Sequence, residues 1–136
     1  PNAARIDNPA ARRQSTLMMT PVISVALGGA IGSVLRYLVG LVVAFPLGTL
    51  AVNVVGSFVI GLVWVHLADR GLQHWMPFLM TGVLGGFTTF SAFSLDALRL
   101  VEEGRITAAG AYVLASLILS VLACAAGLWI ARGMTA

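Results

Sequence analysis

An asparagine set among valines, Asn53 in GTLAVNVVGSF (48–58), is a side chain whose surroundings give it no obvious partner. Its amide has two donors and two lone-pair sites, and burying it unpaired in an apolar medium costs several kcal/mol. It needs either an interhelical hydrogen bond or something passing by to which it donates. Tyr112, Ser116 and Ser120 in YVLASLILS (112–120) recur at i, i+4 and i+8. On a helix such positions drift only 40° per step, so the three hydroxyls form one stripe about 12 Å long. That stripe is a polar track, or else serines bonding back to carbonyls four residues earlier with a tyrosine at an interface. The stretch GGFTTFSAF (85–93) joins adjacent glycines to hydroxyls and phenyl rings. Glycine weakens a helix by about 1 kcal/mol relative to alanine, and hydroxyls compete for backbone hydrogen bonds. A helix should break here. Freed carbonyls are a recurring ligand set for alkali cations, so Gly85 to Thr88 form a candidate cation site, against a glycine kink used only for packing. Phe90 and Phe93 fall 60° apart on a helix resuming after the break. They are core, or they turn their positive ring edges toward an anion.

The elements that hold these groups follow from the charge pattern. Of 136 residues, 59% are hydrophobic and 10% charged, far below the roughly 25% charged residues of soluble domains. Residues 14–35, 37–68, 71–95 and 106–131 contain no Asp, Glu, Lys or Arg. A spanning helix needs about 20 apolar residues, and FPLG (45–48) supplies a turn within the longest run. The sequence predicts helices near 22–44, 48–68, 76–98 and 106–131, the third broken near its middle. No alternation suggests spanning strands. The fold class is an all-α integral membrane protein with four transmembrane helices, residues 21–136 forming one domain behind a polar, arginine-containing and disordered tail, 1–20.

All eight basic residues are arginines, and the net charge is +3. With four spans the tail, the 69–75 loop and the C-terminus share a side holding Arg5, Arg12, Arg13, Arg70 and Arg132, while Arg99 and Arg105 occupy the other. Counted in full, the bias places both termini in the cytoplasm. Without the tail the tally is even, and Arg36 in the far half of the first helix tilts it the other way. Such a core could insert in both orientations. Gly28 and Gly32, Ser57 and Gly61, and Gly82 and Gly86 are small residues at helix-packing intervals, which let backbones approach closely in lipid.

Several function classes lose their usual residues. No carboxylate is expected deep in a span, so proton-coupled transport lacks its relay. Cys124, His66 and His74 show no metal-ligand spacing, and the serines lack a base at depth, so an enzyme is not expected. Beyond the tail no basic face suits nucleic acid.

GGAIGSVLRY (28–37), GTLAVNVVGSF, GGFTTFSAF and the hydroxyl stripe, in this order and spacing, resemble the Fluc (CrcB) family of fluoride channels over residues 22–132. The resemblance implies a passive fluoride exporter that relieves fluoride toxicity, built as an antiparallel, dual-topology homodimer in the bacterial inner membrane. Two pores and one structural Na⁺ at the dimer centre are implied with it. By that likeness Asn53 donates to the ion, Phe90 and Phe93 form an aromatic box, and Tyr112, Ser116 and Ser120 line the polar track. Gly85 and Thr88 give main-chain carbonyls to Na⁺, and Arg36 acts on vestibule electrostatics. The charge-heavy tail departs from the family pattern. The rival readings are a small multidrug exporter, which would need a carboxylate where the first span has Arg36, and a non-transporting membrane assembly subunit.

Overall fold

The computed structural model describes the backbone of residues 9–135 and the side chains of residues 20–134. Residues 1–8, where the expected disordered tail begins, lie outside the described residues; from Pro9 the chain is continuous with the first helix. Helix α1 runs over Pro9–Val42 and α2 over Leu47–Asp69. A short 3₁₀ turn, Gln73–Trp75, leads into a π-helix, Pro77–Leu84, which passes directly into a single helical turn, α3, Gly85–Phe87. After a gap of two residues, α4 runs over Phe90–Glu102 and α5 over Ile106–Thr135. Four stretches, Thr20–Val42, Leu47–Asp69, Gln73–Glu102 and Ile106–Met134, are long and apolar enough to cross a membrane. The expected turn at FPLG separates α1 from α2.

Two helix pairs carry the packing, and glycine sets both. The small residues of α1 face those of the third span. A Cβ on Gly28 would lie 2.9 Å from Val83 N and 3.0 Å from the Gly82 Cα, and one on Gly86 would lie 2.6 Å from the Gly29 carbonyl oxygen. Gly61 and Gly127 do the same between α2 and α5: a Cβ on Gly61 would lie 2.5 Å from the Cys124 oxygen, and one on Gly127 3.1 Å from Leu62 N. In lipid no hydrophobic force draws helices together, so close backbone packing is what association rests on.

The third span ties these pairs together. Leu100, fully buried, packs with Ala109 and Tyr112, and Phe93 and Ala97 lean on this cluster. The Arg99 guanidinium lies 4.4 Å from the centre of the Phe45 ring, a cation–π contact that fixes the α1–α2 turn to α4.

The break itself differs in position from the expectation. The two glycines do not unwind: Gly85 has helical φ −65° and ψ −34°, and Gly86 belongs to α3. The extended residues are Thr88 (φ −81°, ψ 156°) and Thr89 (φ −155°, ψ 120°). Glycine removed the side chain that would collide with α1, while threonine supplied the hydroxyls that replace helical hydrogen bonds.

Candidate functional site

At the break the helix's own hydrogen bonds are exchanged for others. In a continuous helix the Thr89 N–H would close onto the Gly85 carbonyl; here it donates to Asn53 Oδ1 at 2.8 Å. Asn53 Nδ2 in turn donates to the Thr89 carbonyl at 3.0 Å. The Ala92 N–H, which would close onto Thr88, donates instead to Thr89 Oγ1 at 3.1 Å, so Thr89 is the N-cap of α4. Asn53 therefore meets its need for a partner by splinting the break from α2. One amide N–H remains, since the nitrogen carries two hydrogens and only one is bonded to Thr89.

The same exchange frees the Gly85 and Thr88 carbonyls from the turn that would have used them. The broken helix thus presents carbonyls where α3 ends and unpaired N–H groups where α4 begins. One end suits a cation and the other an anion.

A cavity of about 470 Å³ opens beside the break, within the range of small-ligand clefts. Asn53 reaches it from α2, and Gly85 and Thr88 from the break. Phe90 and Phe93 reach it from α4, and Ser116 and Ser120 from α5. The structure thus brings seven of the nine expected site residues to one space, and no charged side chain lines it among the described residues. Tyr112 and Arg36 are not in its wall. Arg36 is half-buried on α1. Tyr112 lies one layer behind, its ring 5.5 Å from that of Phe93, which is in turn 5.4 Å from Phe90. The two phenylalanines are not equivalent. Phe93 packs on the Leu100–Tyr112 cluster, whereas Phe90 is 78% exposed.

The hydroxyls sort into two groups that sequence could not rank. Those of the third span are bound within it: Thr88 Oγ1 donates to the Leu84 carbonyl and Ser94 Oγ to the Phe90 carbonyl, both at 2.9 Å, and Thr89 and Ser91 pair at 3.2 Å. Those of α5 are not. Tyr112 Oη and Ser116 Oγ are buried and meet no partner at full hydrogen-bond geometry, although Tyr112 lies close enough to Thr49, Ser116 and Asp96 to interact with each. Ser116 does not bond back along its helix, which removes the bland explanation of the stripe. Buried polar groups are nearly always paired, and unsatisfied ones cost about 1–3 kcal/mol each. Of the two, Ser116 reaches the cavity wall, where its hydroxyl can donate to an incoming acceptor.

Asp96 lies toward the far end of the third span, Gln73–Glu102, inside the helix expected over 76–98. It is buried, 8% exposed, because α4 continues to Glu102 and Asp96 points inward from its middle. Thr49 Oγ1 donates to Asp96 Oδ2 at 2.6 Å. The expected helix stopped at 98, four residues short of Glu102; the spacing of three between Phe93 and Asp96, keeping both on nearly the same helix face, was the signal that Asp96 turns inward. Ser57, one turn beyond Asn53, also lines the cavity, where sequence offered it only for packing. Replacing Thr49 with Val should strand a buried carboxylate and destabilise the fold by about 1–3 kcal/mol, lowering the melting temperature of the detergent-solubilised protein. An unchanged melting temperature would mean that Asp96 has another donor.

Comparison with known proteins places the chain. Residues 23–128 match the model of a family described as CrcB-like protein, Camphor Resistance (CrcB). The chain is 53% identical over 119 residues to the fluoride-specific ion channel FluC of Paracoccus denitrificans, covering 84% of this chain and 96% of that one. It is 52% identical over 124 residues to the protein of the same name from Roseobacter denitrificans, covering 85% and 98%. With the Agrobacterium fabrum protein of that name it shares 53% identity over 125 residues, covering 85% and 99%.

Proposed function

This chain belongs to the CrcB family of multi-pass membrane proteins, and from that premise we propose that it is a fluoride-selective channel through which F⁻ leaves the cell passively. The observation that carries this reading is a cavity with no charged lining into which the Asn53 amide, the Ser116 and Ser120 hydroxyls and the rings of Phe90 and Phe93 converge. Fluoride is small and holds its water strongly, so a selective path must replace that water with closely spaced donors. The spare Asn53 N–H, the α5 hydroxyls, the opening N–H groups of α4 and the ring edges of Phe90 and Phe93 are such donors. Each is weak alone, and conduction needs sites from which the ion can leave. A lysine or arginine in the wall would hold fluoride too well. Asp96 does not line the cavity and accepts a hydrogen bond from Thr49.

A single copy leaves this path open on one side, where Phe90 is exposed. A second copy inserted antiparallel closes it, and the weak arginine bias of the core permits that orientation. The assembly is a dual-topology homodimer in the bacterial inner membrane with two pores, and Arg36 acts on the approach of the ion. The freed carbonyls of Gly85 and Thr88 suit Na⁺ as a resident ion at the dimer centre. Bound there, Na⁺ would supply a fixed positive charge in the low dielectric of the membrane, worth on the order of 1–2 kcal/mol to an anion about 10 Å away at an effective dielectric constant near 20. The residues need nothing from it to donate hydrogen bonds.

The test is fluoride efflux from liposomes containing the purified full chain, with chloride as the control ion. Fluoride should pass and chloride should not; equal rates would defeat the selectivity, and no flux would leave a structural role. Phe90→Ile should suppress fluoride efflux at least tenfold, about 1.4 kcal/mol in the barrier, with the dimer intact by size-exclusion chromatography. Unaltered efflux would return that ring to a packing role.

A further inference from the structure

A second cavity, about 330 Å³, lies far from the break, where the C-terminal ends of α2 and α5 meet the start of the π-helix. Its floor is aliphatic: Leu62, Val63 and Leu67 from α2 and Leu79 from the π-helix, with Met134 closing the α5 side. Its rim is basic, formed by His66 and Arg70, both exposed. From Leu62 to Arg70 the helix rises about 12 Å, and the apolar span of α2 ends at Asp69. The groove therefore descends from the membrane surface into the hydrocarbon.

We infer that this groove binds an anionic membrane phospholipid, its phosphate against Arg70 and His66 and one acyl chain along the leucine floor. The argument is complementarity at both ends. Arg70 is always charged and offers a fork of donors matched to phosphate oxygens, and it makes no salt bridge among the described residues. Asp69, its neighbour, is not part of the groove wall. A free phosphate would find Arg70 but leave the aliphatic floor empty, and a zwitterionic lipid would fill the floor but bring its own headgroup cation beside His66 and Arg70. Basic pockets between transmembrane helices are established headgroup sites. The inference is independent of fluoride transport, since no residue of the groove lines the cavity at the break.

The experiment is native mass spectrometry of the full chain in non-ionic detergent with phosphatidylglycerol, phosphatidylcholine or glycerol 3-phosphate. A phosphatidylglycerol adduct should exceed the phosphatidylcholine adduct about fivefold at equal concentration, and Arg70→Gln should erase that preference. Leu79→Trp, which leaves both basic residues in place but fills the floor, should lower retention of both lipids and so keeps the test decisive if Arg70→Gln does not fold. Equal retention of the two lipids, or an unchanged preference in Arg70→Gln, would overturn the inference. So would glycerol 3-phosphate bound alone as tightly as the lipid, which would mark a free-anion site. Adducts on monomers but never on dimers would also overturn it, because a second copy would then cover the groove.

Discussion

Asn53→Asp should lower fluoride efflux at neutral pH by about two orders of magnitude while leaving a folded protein. The substitution keeps the acceptor that receives the Thr89 N–H, at 2.8 Å in the parent chain, so the α2 splint across the break is preserved on that side. It removes the spare N–H and puts a negative charge in the wall of the path. Two unit charges about 5 Å apart at an effective dielectric constant near 20 repel by about 3 kcal/mol, and about 1.4 kcal/mol is tenfold in rate. Asn53→Ala separates the two roles. It strands both the N–H and the carbonyl of Thr89, each costing about 1–3 kcal/mol, and should lower the melting temperature where Asn53→Asp does so far less. Efflux of the Asn53→Asp protein equal to that of the parent chain would place the ion's path away from the amide.

The second large effect is structural. Gly32→Ala should destabilise the chain by about 3 kcal/mol, the upper end of ordinary overpacking, and should cut the yield of monodisperse protein sharply. The new Cβ would fall on the Val83 carbonyl oxygen and 2.8 Å from Phe87 N. Both are backbone atoms of the third span, so relief requires moving the π-helix and the turn after it, and with them the break. Gly40→Ala on the same helix, where a Cβ meets nothing within 4 Å, is the control and should be near neutral. Equal melting temperatures for the two variants would show that α1 and the third span do not pack as closely as the structure has them.

The four spans were legible in the sequence because the cost of burying charge in lipid is large and local. The charge-free runs, with the turn at FPLG dividing the longest, had to supply four spanning helices, and the third was expected to stop at 98, short of its end at Glu102. Asp96 shows the limit of the rule. A carboxylate beside a donor such as Thr49 can be buried within a span, and whether a donor 47 positions away in sequence will arrive is not written in either local stretch. The small-residue pairs were legible as packing faces for the same local reason, since a missing side chain shows in the residue type.

The site was legible as residue types but not as roles. Asn53, Phe90, Phe93, Ser116 and Ser120 were all singled out by polarity or spacing, and they share one cavity. Sequence alone left Asn53 between two readings and could not separate the hydroxyls of GGFTTFSAF from those of YVLASLILS. The sequence by itself determined that the chain lies in a membrane, how many times it crosses, and that its third span could not remain one helix, because those follow from the transfer cost of each residue and from backbone propensities. Only the tertiary structure decided that the break falls at Thr88 and Thr89, that Asn53 holds it, and that Tyr112 and Ser116 bury their hydroxyls next to each other. Hydrogen bonds are assigned by which partners reach which atoms in space, and no composition or periodicity contains that choice.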